Sequence, residues 1–137
     1  MKNMKNTITA ILLCITTLTL AQEEVTVTIA GKITNPNSDT LIVKTVWGDN
    51  YHTIPLDKDG SFKSTFDIET GYYRLNDLKE SITVYFGKDY DIHLTLDTDS
   101  FDESISFEGN GADDNNYLAK KALVEESWGR LNYYGYY

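Results

Sequence analysis

The sequence predicts a mainly β protein. We expect an antiparallel β-sandwich of about seven to eight short strands, followed by one C-terminal amphipathic α-helix and preceded by an N-terminal signal helix. Three observations predict this class. Apolar and polar residues alternate with period two in many short stretches, turn-forming residues separate those stretches, and the spacing becomes helical after Gly109. Short strands spaced in this way are typical of a sandwich or an open barrel.

The first 21 residues have the pattern of a secretory signal peptide. Lys2 and Lys5 precede an apolar run over 8–20, and Ala21 stands before an acidic patch. This run is too short to span a bilayer comfortably. We do not expect a lipid on Cys14, because Leu13 precedes it where a lipoprotein has a small residue. The sequence therefore predicts cleavage after Ala21 and export to the periplasm or cell envelope.

The strands begin with an alternation of β-branched residues and threonines from Val25 to Ile33. The second strand has apolar residues on both faces and is expected to be central, whereas Pro55 places the third near an edge. The segment Asp57-Lys58-Asp59-Gly60 predicts a hairpin turn between the third and fourth strands. The strands are predicted at 25–33, 40–47, 51–56, 61–68, 72–75, 82–86, 90–97 and 105–107.

A single helix is predicted after the loop at 109–111, with Asp113 or Asp114 at its N-terminus, where a negative charge is favourable. Its apolar residues recur at helical spacing, so one face is expected to dock on the sheet or on a partner. A tyrosine-rich end follows, and exposed aromatic clusters mark partner surfaces. The predicted interface contains Tyr117, Val124, Trp128, Leu131, Tyr133 and Tyr134. The predicted organisation is a signal peptide at 1–21, a β-sandwich domain at 22–111 and a helix or linker at 112–137, which we expect to be truncated.

Composition and motifs exclude several function classes. The chain carries 12 basic and 21 acidic residues, a formal net charge of −9, which opposes nucleic-acid binding. One cysteine allows neither an internal disulfide nor a Cys-x-x-Cys pair. His52 and His93 form no metal pattern, and no nucleophile or phosphate-loop motif is present. The sequence therefore predicts no catalytic, cofactor-binding or metal-binding residues, and no enzyme activity for this chain.

Two residue clusters have a functional and a structural interpretation. The carboxylates of Asp97, Asp99, Asp102 and Glu103 could bind calcium, but Phe101 stands where such a loop needs an oxygen ligand, so solvated loop charge is favoured. The second cluster could form an aromatic platform for carbohydrate, although cross-strand pairing and core packing are the favoured interpretation. It consists of Tyr72, Tyr73, Tyr85 and Tyr90.

The order of several motifs resembles a known family. These motifs are the Ile-Pro-Leu-Asp-Lys-Asp-Gly-Ser-Phe segment at 54–62, Gly-Tyr-Tyr-Arg-Leu at 71–75, Ile-Ser-Phe-Glu-Gly-Asn-Gly at 105–111 and Asn-Asn-Tyr-Leu at 115–118. They resemble the N-terminal domain of uncharacterised function that precedes thioredoxin-like domains in envelope proteins of Gram-negative bacteria, grouped as TlpA-like or AhpC/TSA proteins. The resemblance implies a non-catalytic accessory domain of an exported thiol:disulfide oxidoreductase. Its partner would be a downstream thioredoxin-like domain or an envelope protein.

A second hypothesis comes from a different class of protein. The chain would be a complete secreted β-sandwich binding module, adhesin-like or carbohydrate-binding, that uses edge strands or tyrosine faces. A homodimer remains open under either hypothesis.

Overall fold

The computed structural model describes residues 23–134, with side chains through residue 129. The predicted signal peptide at 1–21 lies outside the described residues. Within these residues, eight strands and two α-helices follow one another, and the shorter helix is preceded by a 3-10 turn at Thr98–Ser100. The elements are β1 (Glu24–Thr34), β2 (Thr40–Thr45), β3 (Asn50–Pro55), β4 (Ser61–Glu69), β5 (Gly71–Asn76), β6 (Ser81–Phe86), β7 (Asp91–Asp97), α1 (Phe101–Ser104), β8 (Ser106–Asn110) and α2 (Ala112–Tyr134).

The strands form two four-stranded sheets, in the orders β4-β1-β7-β8 and β3-β2-β5-β6. The predicted mainly β fold with a C-terminal helix is confirmed. One detail differs from an all-antiparallel sandwich, because β1 and β7 run parallel, with Thr28 opposite Asp91 and Thr34 opposite Asp97. The other strand pairs are antiparallel. A parallel neighbour is available to β1 because the chain passes through the second sheet before it returns as β7.

The core lies between the inner faces of the two sheets. The core forms because alternate residues of each strand point inward. Strand β7 is the clearest case, since Ile92, Leu94 and Leu96 are buried while His93 and Thr95 between them are exposed. Burying each such aliphatic side chain contributes about 1.5–3 kcal/mol. The same alternation on the other strands supplies the remaining large buried residues, Val27, Ile29, Ile33, Leu41, Val43, Ile54, Ile68, Leu75 and Phe86.

Strand β2 is central and β3 lies at an edge of its sheet, as predicted. The hairpin predicted at 57–60 is wrong, although the turn itself forms. The Gly60 N–H donates to the Asp57 carbonyl at 2.9 Å, and the Asp57 N–H donates to the Ser61 carbonyl at 2.8 Å. However, β3 and β4 belong to different sheets, so this turn carries the chain across the sandwich. Gly60 has a φ of +82°, and a Cβ there would lie 2.0 Å from the Ile33 carbonyl oxygen.

Two aromatic side chains connect the edge strands β3 and β4. The pairing of β2 with β3 shifts register so that Tyr51 has no residue opposite it. The His52 ring stacks on Phe66, with ring centroids 4.2 Å apart, and its Nε2 atom lies 2.9 Å from Ser64 Oγ. The Tyr51 hydroxyl donates to the Asp67 carbonyl at 3.3 Å. His52 therefore has a structural position between the sheets, whereas His93 lies exposed on β7.

Helix α2 closes the opposite side of the sandwich, where β6 and β8 are the outer strands. Its buried residues Ala112, Asn115 and Ala119 face the strands. The Asn115 side chain accepts from the Tyr85 N–H at 2.8 Å and donates to the Tyr85 carbonyl at 3.0 Å. The next residue, Asn116, makes the equivalent pair with Phe107 of β8, at 2.9 and 2.7 Å. Two consecutive asparagines thus bind the backbones of both sheets.

The predicted apolar face of α2 does not pack on the sheets. Tyr117, Val124 and Trp128 are 66%, 47% and 67% exposed, whereas the face of small residues described above is buried. Small side chains allow the helix axis to approach the strand edges closely, and larger ones would hold it away. The side chains of Leu131, Tyr133 and Tyr134 lie outside the described part of the chain. Within residues 23–134, no helix has the length and apolar character that crossing a bilayer requires.

Candidate functional site

A groove of about 540 Å³ lies between sheet β3-β2-β5-β6 and helix α2. Tyr72 comes from β5, Tyr85 from β6, and Asp114, Tyr117 and Leu118 come from the first turns of α2. Most of this lining is aromatic, and its volume falls in the range of small-molecule sites. The groove therefore combines side chains from two consecutive strands with side chains from a helix much later in the chain.

Strand register places the two sheet tyrosines. Tyr72 and Tyr85 are directly opposite each other across β5 and β6, and their ring centroids are 5.1 Å apart. Their neighbours Tyr73 and Val84 are buried on the inner face, so the pleat turns Tyr72 and Tyr85 outward. Tyr72 remains 58% exposed.

The asparagine contact places the helix side of the groove. Asn115 is held by both backbone groups of Tyr85 and also donates to the Gly111 carbonyl at 2.9 Å. Asp114 precedes this anchor and Tyr117 follows it by two residues, so both are carried to the groove by the same contact. Tyr117 is 66% exposed, with its ring available to a ligand.

Asp114 is oriented by a hydrogen bond from the Tyr90 hydroxyl to its Oδ2 atom. Burial, followed by this hydrogen bond and the carboxylate charge, raises the pKa of Tyr90 to about 12. The Tyr90 ring also contacts Tyr85 edge to face, with centroids 6.0 Å apart. A Cβ on Gly111 would lie 2.2 Å from that ring, so the loop before α2 fits closely around Tyr90. The carboxylate consequently has a fixed orientation at one end of the groove.

Three of the four tyrosines in the predicted platform come together. Tyr72 and Tyr85 line the groove, and Tyr90 supports it through Asp114. The cross-strand pairing favoured for them is present as well, but it leaves Tyr72 exposed instead of packed. Tyr73 lies apart on the inner face, where its hydroxyl donates to the Glu69 carbonyl at 2.9 Å.

The contribution of the helix to this site was not indicated by the sequence. Its apolar spacing indicates an interface at Tyr117, and the asparagines at 115 and 116 are part of a family motif with no role of their own. The available signal was the pair of amide side chains near a helix start, since amides can pair with a strand backbone in the manner of a neighbouring strand.

The acidic cluster at 97–103 is held by contacts within the protein. The Asn35 side chain donates to both Asp97 and Asp99 at 3.0 Å. Burial, with a smaller effect from hydrogen bonding to the Glu126 carboxyl, raises the pKa of Asp102. Among the described residues, no group of three or more His, Cys, Asp or Glu side chains is arranged to hold a metal ion.

Comparison with known proteins does not support the resemblance proposed from the motifs. No protein-family model matches the chain, and no curated protein matches it. A solved structure that aligns with it is a DUF3823 family protein from Parabacteroides merdae, with 17% identity and a TM-score of 0.36. The alignment covers 53% of this chain and 46% of that protein, so it spans less than half the length of that protein.

The assignment to TlpA-like or AhpC/TSA envelope proteins is therefore wrong. The predicted partner, a downstream thioredoxin-like domain or an envelope protein, stays a prediction without this family behind it. Short motifs such as Asp-Gly-Ser-Phe occur because a tight turn requires particular residues. The same turns, and therefore the same motifs, recur in unrelated β proteins. The chain is a mainly β domain, and no relative assigns an activity to it.

Proposed function

We propose that this protein is an exported, non-enzymatic binding module that holds a saccharide in the groove between β5, β6 and α2. The observation that carries the proposal is the convergence of two exposed tyrosine rings, Tyr72 and Tyr117, with the oriented carboxylate of Asp114. Export rests on the signal-peptide pattern at 1–21, which predicts the periplasm or cell envelope.

The chemistry of the lining supports a sugar ligand. A pyranose ring has an apolar C–H face, which packs on an aromatic ring, and a rim of hydroxyls, which need hydrogen-bond partners. Tyr72, Tyr85 and Tyr117 supply rings with hydroxyl groups. The Tyr90 hydroxyl donates its hydrogen bond to Asp114 Oδ2, so Oδ1 can accept a hydrogen bond from a ligand hydroxyl. Apolar walls with a few oriented polar groups are the usual composition of such sites.

Charge favours a neutral sugar. The chain has a net charge of −9, and the carboxylate of Asp114 lines the groove itself. A uronic acid or sulfated sugar would be repelled by this field. Neutral saccharides are therefore the expected class of ligand.

The proposal is tested by binding of the purified protein to an array of neutral and acidic glycans, followed by calorimetric titration of the best neutral ligand. Replacing both Tyr72 and Tyr117 with alanine is expected to weaken binding at least about tenfold, because both exposed ring surfaces are lost. Leu78→Ala is the matched control, since Leu78 is 57% exposed in the turn between β5 and β6 and does not line the groove. Binding to no glycan, or unchanged affinity in the double tyrosine variant, would refute the proposal.

A second candidate function concerns the outer face of α2. We propose that Val124 and Trp128, which are 47% and 67% exposed, contact another protein, with a second copy of this chain as the first partner to test. Exposed large apolar side chains on one helix are typical of such surfaces. Sedimentation of the wild-type protein and of a Trp128→Ala variant would test self-association. A monomer at high micromolar concentration in both would exclude the homodimer.

A further inference from the structure

A second groove, of about 400 Å³, lies at the end of the sandwich where the β2–β3 turn and the β4–β5 junction lie. Its most exposed residue is Trp47, at 90%, in the turn between β2 and β3. Thr45, Glu69 and Thr70 place polar groups around it, and Tyr72 forms part of its wall. Tyr72 also lines the first groove, so the two depressions meet at this residue.

The turn that carries Trp47 is held by its own hydrogen bonds. The Thr45 N–H donates to the Asp49 carbonyl at 2.9 Å, and the Gly48 N–H donates to the Thr45 carbonyl at 3.0 Å. The Asp49 N–H also donates to the Thr45 hydroxyl at 3.2 Å. Gly48 provides the positive φ of +98° that the turn requires. A bonded turn thus presents a nearly fully exposed indole, which adds little to the core.

From this continuity we infer that the ligand is an unbranched neutral oligosaccharide that extends from Trp47, across Tyr72, to Tyr117. The inference rests on the proposed function and deepens it. Three aromatic residues in succession along one path provide separate stacking positions for successive sugar rings. Glu69 and Asp114 are the charged residues that line the two grooves, and both are acidic. A neutral chain therefore fits this path better than an anionic one.

The position of the path disfavours an extended peptide. Peptides that add to a sheet pair with the backbone of an exposed edge strand. Tyr72 lies on β5, which is flanked by β2 and β6 and is therefore not an edge strand. At Tyr85 of β6, the edge backbone is occupied by Asn115. The path crosses the faces of the strands, where side chains and not backbone groups meet the ligand.

The test is a calorimetric size series on the purified protein, with malto-, cello- and xylo-oligosaccharides of two to six units. Affinity for the series that binds is expected to increase with length. Trp47→Ala should lower affinity for the hexasaccharide about fivefold and leave that for the disaccharide unchanged. Trp47→Phe should retain most of the affinity for the hexasaccharide. Leu78→Ala should leave the affinities for both the disaccharide and the hexasaccharide unchanged.

The outcomes separate the inference from the function on which it rests. Equal affinity for two and six units, with no effect of Trp47→Ala, would overturn the extended site while leaving the tyrosine groove as the binding site. Failure of every length to bind would overturn both proposals. Tighter binding of an acidic chain, tested with hexagalacturonate, would overturn the assignment to neutral sugars.

Discussion

Replacing Asn115 with alanine tests whether one amide side chain fixes α2 against the sandwich. Asn115 is fully buried and makes three hydrogen bonds, two to the backbone of Tyr85 and one to the Gly111 carbonyl. Alanine removes all three and leaves the Tyr85 N–H without a partner beneath the helix. The variant should therefore lose stability and loosen the helix that carries Asp114 and Tyr117.

The size of the effect follows from the buried donor. A buried polar group left unpaired costs about 1–3 kcal/mol, and the lost amide packing adds to this. We expect a total loss of about 2–4 kcal/mol from an unfolding free energy that in most domains is about 5–15 kcal/mol. With a urea dependence of about 2 kcal/mol per molar, the middle of the usual range, the unfolding midpoint should fall by about 1–2 M.

The assay is urea unfolding followed by far-ultraviolet circular dichroism, together with amide hydrogen exchange. Asn116→Ala is the matched control, because Asn116 is the same residue type in the same helix but is solvent-exposed. Its side chain is exposed and it makes two hydrogen bonds, to Phe107, where the buried Asn115 makes three, so its loss should be smaller than that of Asn115. Exchange at the Tyr85 amide should accelerate selectively in the Asn115 variant. Equal stability of the two variants, or unchanged protection at Tyr85, would refute the reasoning.

Two further predictions concern the turn at 57–60 between the sheets and the carboxyl of Asp102, which is hydrogen-bonded to Glu126 of α2. Gly60→Ala should destabilise by about 2–4 kcal/mol, because its Cβ would collide with the Ile33 carbonyl at a φ of +82°. Gly48→Ala, with a φ of +98° in open space, should cost only about 1–2 kcal/mol, and similar unfolding midpoints for the two would contradict this account. Because burial raises the pKa of Asp102, its contribution to stability is present below the unfolded pKa and is lost as pH rises through the folded pKa. Asp102→Asn should therefore raise the melting temperature at pH 7 and leave it nearly unchanged at pH 3, whereas an equal shift at both pH values would exclude a charge effect.

The strands were predictable because burial on one face of a pleated strand imposes a period of two on the sequence. This period correctly placed Ile92, Leu94 and Leu96 inside, and Pro55 correctly marked an edge strand. A period reports which face of a strand is buried. It carries no information on which sheet the strand joins, so the crossing turn at 57–60 and the parallel β1 and β7 pair did not follow from it.

For the helix, too, the spacing of apolar residues did not identify which residues contact the sandwich. Its large apolar residues indicated a packing face, yet the sandwich contacts the smaller residues Ala112, Asn115 and Ala119. Large apolar side chains contribute more buried area, but a helix that must reach two strand edges at once needs close approach and paired amides. The interface predicted on Tyr117, Val124 and Trp128 stays a prediction, and the tyrosine platform could be named from residue type alone only as one of two interpretations.

By itself, the sequence determined the class of the fold, the approximate number of strands, the buried face of the strands that alternate clearly, and the C-terminal helix. These are local properties, since backbone geometry repeats over two or about four residues and leaves its period in the chain. The tertiary structure decided the partners. Tyr72 and Tyr117 are separated by 45 residues in the sequence and share one groove only because strand register and the Asn115 amide bring β5, β6 and α2 together. Contacts between such distant residues depend on the packing of the whole domain, which no short stretch of sequence encodes.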